Sequence, residues 1–271
     1  MIHYFYSLIL GVVQGITEFV PVSSSGHLVI LHDLFNSAKD SLTFDIALHL
    51  GSLLAVIIFF RVEILKYIVA VLEIFIPKRK VNKEDLADAM LLIYATIPAA
   101  IVGVFSDRII ETYLRNTYVV IVTLLFGAGL FFLVEKYAKH KLDFTGMGIG
   151  KALYIGFAQV LALIPGVSRS GITIVAGMSA KLKREEAAKF SFLMSIPIIL
   201  GAGYFKMKRI NWNLLPLDEV IMFGIGFITS FVVGYVVIKY FLKYLKSHKL
   251  NVFAWYRIGL AIVLLIWVLI K

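Results

Sequence analysis

The chain has 271 residues, of which 60% are hydrophobic and only 16% are charged. Soluble domains carry about 25% charged residues, so this composition excludes an ordinary water-soluble domain. The net charge is +10, and cytoplasmic loops of membrane proteins are commonly rich in Lys and Arg. Because this explains the positive charge, no nucleic acid is expected as a partner. Because the chain has no cysteine, it has no disulfide, no cysteine metal ligand and no thiol nucleophile.

Eight apolar regions follow one another along the chain, and a helix that crosses the bilayer core needs about 20 mostly apolar residues. A short further run, Tyr67–Pro77, contains Glu73 and lies between basic flanks, which indicates a helical extension or a helix in the membrane interface. Six of the eight regions are uninterrupted and predict membrane spans. These spans are Phe44–Phe60, Ala89–Ser106, Thr117–Val134, Phe190–Phe205, Val220–Ile238 and Val252–Ile270.

The other two regions, Tyr4–Leu34 and Lys151–Ala180, are each broken near the middle by proline, glycine and serine. Most Lys and Arg lie in four connections, which the positive-inside rule assigns to the cytoplasm. These connections are Arg61–Ala87, Lys136–Lys151, Lys181–Lys189 and Lys239–Lys249. The sides of the membrane then alternate correctly only if each broken region is a re-entrant hairpin, the first open to the outside and the second to the inside. Two kinked ordinary spans are the alternative.

A shift of 145 residues aligns the two broken regions without a gap and brings SSSG at Ser23–Gly26 onto SRSG at Ser168–Gly171. Three spans separate the copies, and because this number is odd the copies have opposite orientations. We predict one integral membrane domain, residues 1–271, with repeat halves at approximately 1–135 and 146–271. The predicted fold class is an all-α polytopic membrane protein with about six transmembrane helices and two re-entrant helical hairpins related by an inverted-topology repeat. Such repeats usually place a site at their interface near the midplane.

The first broken region carries polar groups that a plain apolar helix would not contain. In a helix, Gln14 and Glu18 lie on one face. Because a carboxylate at membrane depth is energetically costly, Glu18 is a candidate functional-site residue. Serines at Ser23–Ser25 precede a new helix, where they would cap it and leave free amides for an anion. His27 lies three residues beyond Ser24, close enough to act on its hydroxyl. The alternatives are a structural hydrogen bond for Glu18 and a packing role for His27.

The second broken region, PGVSRSGIT at Pro165–Thr173, places Arg169 among small and hydroxyl residues. A buried arginine needs an anion, and its planar fork suits phosphate oxygens. The neighbouring hydroxyls and the glycine-rich backbone would add further donors to such a site. The alternative is an Arg169–Glu18 pair that only locks the two hairpins together, and both arrangements could occur at different stages.

These residues carry a resemblance to a known family. The segments QGITEFVPVSSSGH at Gln14–His27 and PGVSRSGIT resemble the two signature motifs of the undecaprenyl-diphosphate phosphatase family, also known as the bacitracin-resistance protein family. Phe44–Val56, Phe190–Ala202 and the Tyr256–Arg257 pair are also similar to family segments. The resemblance implies an integral membrane hydrolase that removes the terminal phosphate from a polyprenyl diphosphate and returns the monophosphate carrier to cell-wall glycan synthesis.

The resemblance also assigns roles to residues of both loops. It implies a divalent cation, Mg²⁺ or Ca²⁺, with Glu18 as a ligand beside substrate phosphates and water; Gln14 stands where many members have Glu. Ser24 is the expected nucleophile with His27 handling its proton, and attack by water activated by His27 or Glu18 is the alternative. The catalytic set is Glu18, Ser24, His27 and Arg169, and the substrate-binding set is Gln14, Ser23, Ser25, Gly26, Gly166, Ser168, Ser170, Gly171 and Thr173.

The expected location is the cell membrane, as a multi-pass protein whose partners are the polyprenyl diphosphate and membrane lipids. Since the serine–histidine hairpin opens outward, the site is expected to face the external or periplasmic side. The sequence does not determine the oligomeric state, and a homodimer is one of the assemblies that stay open. It also does not determine the prenyl chain length or the metal.

Several assignments stay open. A lipid transporter or flippase with the same polar path is the alternative to a hydrolase, because inverted repeats with broken helices are also typical of transporters. Asp45 and His49 lie one turn apart and could line the mouth of the site or only cap and pack. Arg257 could contact phosphate, extend to the interface or form an internal pair.

Overall fold

The computed structural model describes residues 2–34, 41–76, 80–114, 116–139, 141–208 and 215–270. In these ranges the chain is helical, and its β-type pairing is one isolated bridge between Leu142 and Leu182. The prediction of an all-α fold is therefore confirmed. The α-helices are α1 (Ile2–Thr17), α2 (Ser24–Leu34), α3 (Ser41–Phe59), α4 (Arg61–Glu73), α5 (Lys83–Ile109), α6 (Thr117–Tyr137), α7 (Ile149–Val160), α8 (Arg169–Ser179), α9 (Arg184–Met207), α10 (Leu217–Leu245) and α11 (Asn251–Ile270), with a π turn at Ile110–Leu114 and 3-10 turns at Phe144–Gly146 and Leu161–Leu163.

Among the described residues, five helices are long and apolar enough to cross a bilayer, namely α5, α6, α9, α10 and α11. Each contains one of the predicted spans, so the prediction of a polytopic membrane protein is confirmed. The remaining predicted span, Phe44–Phe60, is helical as α3, but its apolar part, Phe44–Phe59, is shorter than the other five.

Large apolar side chains cover the outward faces of these helices. Phe105 of α5, Phe126 of α6, Ile228 of α10 and Val263 of α11 are all exposed. In water, an apolar surface of this extent would be unfavourable, whereas the hydrocarbon of a bilayer is a matching solvent for it. The outer surface is therefore that of a lipid-embedded protein.

The short apolar run after α3 is helical, but the helix begins earlier than the sequence predicts. The predicted bounds were Tyr67–Pro77, whereas α4 covers Arg61–Glu73 and Pro77 lies outside the described residues. Tyr67 and Ala70 are buried, and much of the remaining apolar surface of α4 is exposed. The two interpretations of this segment, a helical extension and a helix in the membrane interface, both stay predictions.

Both broken regions consist of two helices joined by a turn, and the second helix of each starts in the same way. It follows a serine in the left-handed region of backbone conformation, with φ of 77° at Ser23 and 72° at Ser168. The Oγ of each serine accepts a hydrogen bond from the amide three residues later, Gly26 at 3.2 Å and Gly171 at 3.1 Å. These serines satisfy an amide that the helix itself leaves unpaired. The two loops, 145 residues apart, thus share the local geometry that the predicted repeat requires.

The helices also contact one another in matching pairs. α1 packs along α10 and its counterpart α7 packs along α5, while α3 contacts α9 and α6 contacts α11. α2 and α8 both contact α6. This arrangement brings the two broken loops together inside the protein.

A buried ion pair joins three helices at the end of the molecule where α9 and α11 begin. The Glu135 carboxylate at the end of α6 accepts hydrogen bonds from Arg184 Nε at 2.8 Å, from Arg184 Nη2 at 2.5 Å and from the Leu250 amide at 2.9 Å. The bidentate geometry is the strongest form of an arginine–carboxylate pair. It fixes the start of α11, the helix that contacts both loops.

Candidate active site

Glu18 lies at the centre of the polar cluster formed by the two loops. It follows directly after α1, and its side chain is only 6% exposed. Its Oε1 accepts a hydrogen bond from Arg169 Nη2 at 2.9 Å, and its Oε2 accepts from Ser24 Oγ at 2.9 Å and from Gln14 Nε2 at 3.0 Å. His49 Nε2 lies 3.8 Å from Oε2. The acid and hydroxyl of the first loop and the arginine of the second are therefore in direct contact.

Arg169 is the first residue of α8 and is largely buried. Its second terminal nitrogen, Nη1, donates to the backbone carbonyl of Ser191 in α9 at 2.8 Å. Ser191 Oγ in turn shares a hydrogen bond of 2.7 Å with Thr173 Oγ1, which also donates to the Arg169 carbonyl. The guanidinium is thus fixed from both ends, by a carboxylate and by a carbonyl.

Ser24 and Arg169 occupy equivalent positions of the two loops. They are 145 residues apart, and each is the first residue of its helix. Both side chains donate to the same carboxylate, one to each oxygen of Glu18. The start of α2 therefore supplies a hydroxyl to this carboxylate, and the start of α8 supplies a cation.

His27 lies one turn into α2, but its ring faces away from Ser24. Nδ1 lies 2.7 Å from the Ser23 carbonyl, and Nε2 lies 2.7 Å from the hydroxyl of Tyr256 in α11. The two rings are stacked, with centroids 5.8 Å apart. In the described part of the chain no hydrogen bond joins His27 to Ser24, so the expected proton transfer between them stays a prediction.

The two loops also touch through their backbone and their serines. Gly166 has a φ of 88°, a conformation that suits glycine, and its amide donates to Ser25 Oγ at 3.4 Å. Ser25 Oγ lies 3.4 Å from Ser23 Oγ, and Ser168 Oγ lies 3.3 Å from Ser170 Oγ. The predicted substrate-binding residues of both loops are therefore assembled in one place.

Arg257, whose role the sequence left open, forms an internal contact. It is completely buried, and its Nη2 donates to the carbonyls of Gly166 at 2.8 Å, Val167 at 2.9 Å and Thr123 at 3.2 Å. Its guanidinium also lies over the Phe131 ring, 5.3 Å from the centroid. Arg257 thus bonds inside the protein to carbonyl oxygens, and within the described residues it has no carboxylate partner.

Asp45 and His49, also left open, belong to polar contacts beside the site. The Asp45 carboxylate lies 2.8 Å from His32 Nε2, and His32 Nδ1 lies 2.8 Å from the Tyr6 hydroxyl. His49 Nδ1 lies 2.7 Å from the Asp45 carbonyl, which directs Nε2 towards Glu18. These contacts tie α1, α2 and α3 together next to the predicted catalytic residues.

Sequence reasoning did not assign a site role to Ser191 or Tyr256. Both lie in segments that are similar to the family, Ser191 in Phe190–Ala202 and Tyr256 in the Tyr256–Arg257 pair. A seryl backbone carbonyl and a tyrosine near a helix end have no distinctive sequence pattern. Their approach to the site depends on how α9 and α11 pack.

The residues around Glu18 could hold a divalent cation only together with ligands from water and the substrate. Within the described ranges no group of three or more His, Asp or Glu residues is arranged to hold a metal ion. Gln14 Oε1, however, is buried and has no hydrogen-bond partner there. One carboxylate and one amide oxygen suit a hard cation whose other ligands are water and substrate phosphate.

The fold and the site together define a class: polytopic α-helical membrane proteins with a polar centre at the junction of two broken apolar regions. In this chain the acid and the hydroxyl of that centre come from the N-terminal half, and the arginine comes from the C-terminal half.

The chain belongs to the family described as bacitracin resistance protein BacA, whose family model matches residues 7–263. A relative from Rubrobacter xylanophilus is 41% identical over 263 residues, covering 96% of this chain and 97% of its own. A relative from Caldicellulosiruptor bescii is 43% identical over 270 residues, covering 98% of this chain and 98% of its own. A relative from Alcanivorax borkumensis is 40% identical over 265 residues, covering 97% of this chain and 98% of its own. All three are named undecaprenyl-diphosphatase.

Proposed function

We propose that this protein is an undecaprenyl-diphosphatase of the membrane, which hydrolyses undecaprenyl diphosphate to the monophosphate and inorganic phosphate. Near-full-length relatives of about 40% identity that carry this name support the activity. The structural observation behind it is the contact of Arg169 and Ser24 with the same buried carboxylate, Glu18. None of the relatives compared above is named a transporter, so the transporter alternative has no support.

Arg169 is the proposed binding group for the diphosphate. Its guanidinium now bonds to Glu18, and an incoming phosphate would share or replace that carboxylate while the Ser191 carbonyl keeps the side chain in place. The helix starts of α2 and α8 both lie at this point, so their amides and dipoles favour the same anion. In the transition state the arginine would stabilise charge on the transferred phosphoryl group.

Ser24 is the proposed nucleophile. Its Oγ would form a bond to the terminal phosphorus as the bond from that phosphorus to the bridging oxygen breaks, which releases the lipid monophosphate. Glu18, already bonded to this hydroxyl, is placed to accept its proton. Water would then attack the phosphoserine to release phosphate and restore the hydroxyl. Direct attack by water, activated by Glu18 or His27, is the competing route.

A divalent cation would be held by Glu18 and the unpartnered oxygen of Gln14, together with the substrate phosphates. It would neutralise charge on the phosphate oxygens when bound. The protein groups keep their own tasks: the arginine orients the terminal phosphate, and the carboxylate orients the serine.

We also propose that both hairpins are re-entrant and that the site opens to the external side. The charge distribution of the connections supports this orientation. Since the chain has no cysteine, single substitutions can report the side of the membrane. Ser24→Cys should react with an impermeant thiol reagent added outside intact cells, and Lys183→Cys only after permeabilisation; the opposite order would refute the orientation. The homodimer stays a prediction, which light scattering of the solubilised protein would measure.

The function is tested by phosphate release from undecaprenyl diphosphate with purified protein in detergent. Wild type should release phosphate, and Arg169→Ala and Ser24→Ala should release it far more slowly, although both elute as folded protein. Transbilayer movement of the lipid without phosphate release would instead support a transporter.

A further inference from the structure

We propose that two consecutive residues of α11, Tyr256 and Arg257, are positioning residues that fix the two loops of the site relative to each other. The proposal rests on the proposed function, because it concerns the geometry of the same site. Tyr256 bonds to His27 of the first loop, and Arg257 bonds to backbone carbonyls of the second. One rigid helix therefore contacts both halves of the site.

Arg257 is an unusual group to bury at this point. The side chain is fully buried, and within the described residues its guanidinium donates to three carbonyl oxygens instead of a carboxylate. A buried charge is costly unless hydrogen bonds compensate it, so the arginine and the loop carbonyls stabilise each other. Two of the three carbonyls belong to Gly166 and Val167, directly before the Ser168–Arg169 start of α8, and the third belongs to Thr123 of α6.

The loop that Arg257 contacts would not adopt its conformation easily alone. Gly166 and Ser168 both have a positive φ, 88° and 72°, and such a conformation is uncommon for serine. It persists only where the surrounding structure imposes it. Because Arg169 follows immediately, displacement of this loop would move the guanidinium away from Glu18 and from the substrate.

The Arg257 guanidinium packs against α6 at Gly127, where the absence of a side chain leaves room for it. A Cβ on Gly127 would lie 2.5 Å from both Cζ and Nη2 of Arg257, closer than any real contact. A Cβ on Gly129, two residues further along the same helix, would meet nothing within 4 Å. Gly127→Ala therefore displaces the arginine without altering it, and Gly129→Ala is the matched control with the same gain in helix propensity.

Tyr256 fixes the other loop through His27. Since the Ser23 carbonyl can only accept, His27 Nδ1 carries the hydrogen, and the neutral ring accepts the Tyr256 hydroxyl at Nε2. This assignment of the tautomer follows from the hydrogen-bond partners. The stacked rings restrict the imidazole further. Tyr256→Phe removes the hydrogen bond but keeps the stacking, so it isolates the positioning role.

The kinetic test measures kcat and KM for undecaprenyl diphosphate with purified, monodisperse variants. We expect Gly127→Ala and Tyr256→Phe to lower kcat at least tenfold with a smaller change in KM, and Gly129→Ala to match wild type. Tyr240→Phe is the control for the tyrosine, because within the described ranges the exposed Tyr240 has a cation–π contact with Lys239 and no hydrogen bond from its hydroxyl. Equal kcat in Gly127→Ala and Gly129→Ala, or in Tyr256→Phe and wild type, would overturn the proposal.

A second measurement does not depend on turnover. Hydrogen exchange followed by mass spectrometry should show faster exchange of the segment 164–171 in Gly127→Ala than in Gly129→Ala. If Gly127→Ala is not obtained as folded protein, Arg257→Lys, which adds no volume, should show the same faster exchange and loss of kcat. Inactivity of wild type would refute the proposed function, whereas an active wild type with unaffected variants would refute only the positioning role.

Discussion

Replacement of Arg169 by alanine separates the two roles that this residue could have, a lock between the hairpins and a ligand for phosphate. The substitution leaves the Glu18 carboxylate, which is 6% exposed, without its cation. Loss of one partner of a buried pair typically costs about 3–5 kcal/mol. Because Ser24 and Gln14 still donate to the carboxylate, we expect the low end of this range, about 3 kcal/mol.

A second substitution isolates the electrostatic part of that cost. Glu18→Gln in the Arg169→Ala background removes the uncompensated charge at nearly constant volume, so stability should return to within about 1 kcal/mol of wild type. Activity should not return, because loss of an arginine that stabilises a transferred phosphoryl group lowers turnover by roughly 10³–10⁵-fold and Glu18→Gln also removes the proposed proton acceptor of Ser24. The double variant should therefore be stable and inactive.

The assay is reversible unfolding in detergent, followed by circular dichroism, beside phosphate release from undecaprenyl diphosphate. Near wild-type turnover in Arg169→Ala would refute the role of Arg169 at the phosphate. A double variant as unstable as Arg169→Ala would show that the buried charge is not the source of the instability.

Three further predictions concern the nucleophile, the cation and the helix junction. Ser24→Ala should lower kcat at least roughly 10²-fold in the phosphate-release assay, and a rate near that of wild type would favour direct attack by water. A chelator should lower wild-type activity, and Gln14→Glu should reach half-maximal activity at a lower Mg²⁺ concentration because a carboxylate binds Mg²⁺ more tightly than an amide; an unchanged Mg²⁺ titration would contradict this ligand assignment. Arg184→Ala breaks the bidentate bond to Glu135 and should lower the free energy of unfolding by about 2–3 kcal/mol with kcat unchanged, and a loss of kcat in protein that remains folded would show that this junction also acts on the site.

Much of the candidate site could be predicted because its signals are local. The acid, the serines and Arg169 are polar groups inside apolar regions, where each stands out from its neighbours. The repeated serine–glycine pattern also predicted that the two loops are equivalent, and both serine caps have the same geometry. The start of α4 was less predictable, because hydrophobicity continues from α3 through the turn at Phe60.

The orientation of His27 could not be obtained in the same way. The spacing of Ser24 and His27 suggests a hydroxyl–imidazole pair, whereas the structure has Ser24 bonded to Glu18 and His27 bonded to Tyr256. The partner of His27 is 229 residues away in the chain, so no local pattern predicts it.

The sequence by itself determined the membrane class, the two broken apolar regions and the polar residues that they contain, because these follow from hydrophobicity and from residue type. Only the tertiary structure decided which groups meet: Glu18 with Ser24 and Arg169, Arg169 with the Ser191 carbonyl, and Arg257 with the carbonyls of the second loop. The physical reason is that every residue has a carbonyl, so a backbone acceptor leaves no trace in the sequence. Which acceptor a buried cation reaches is set by the packing of helices that are distant in the chain.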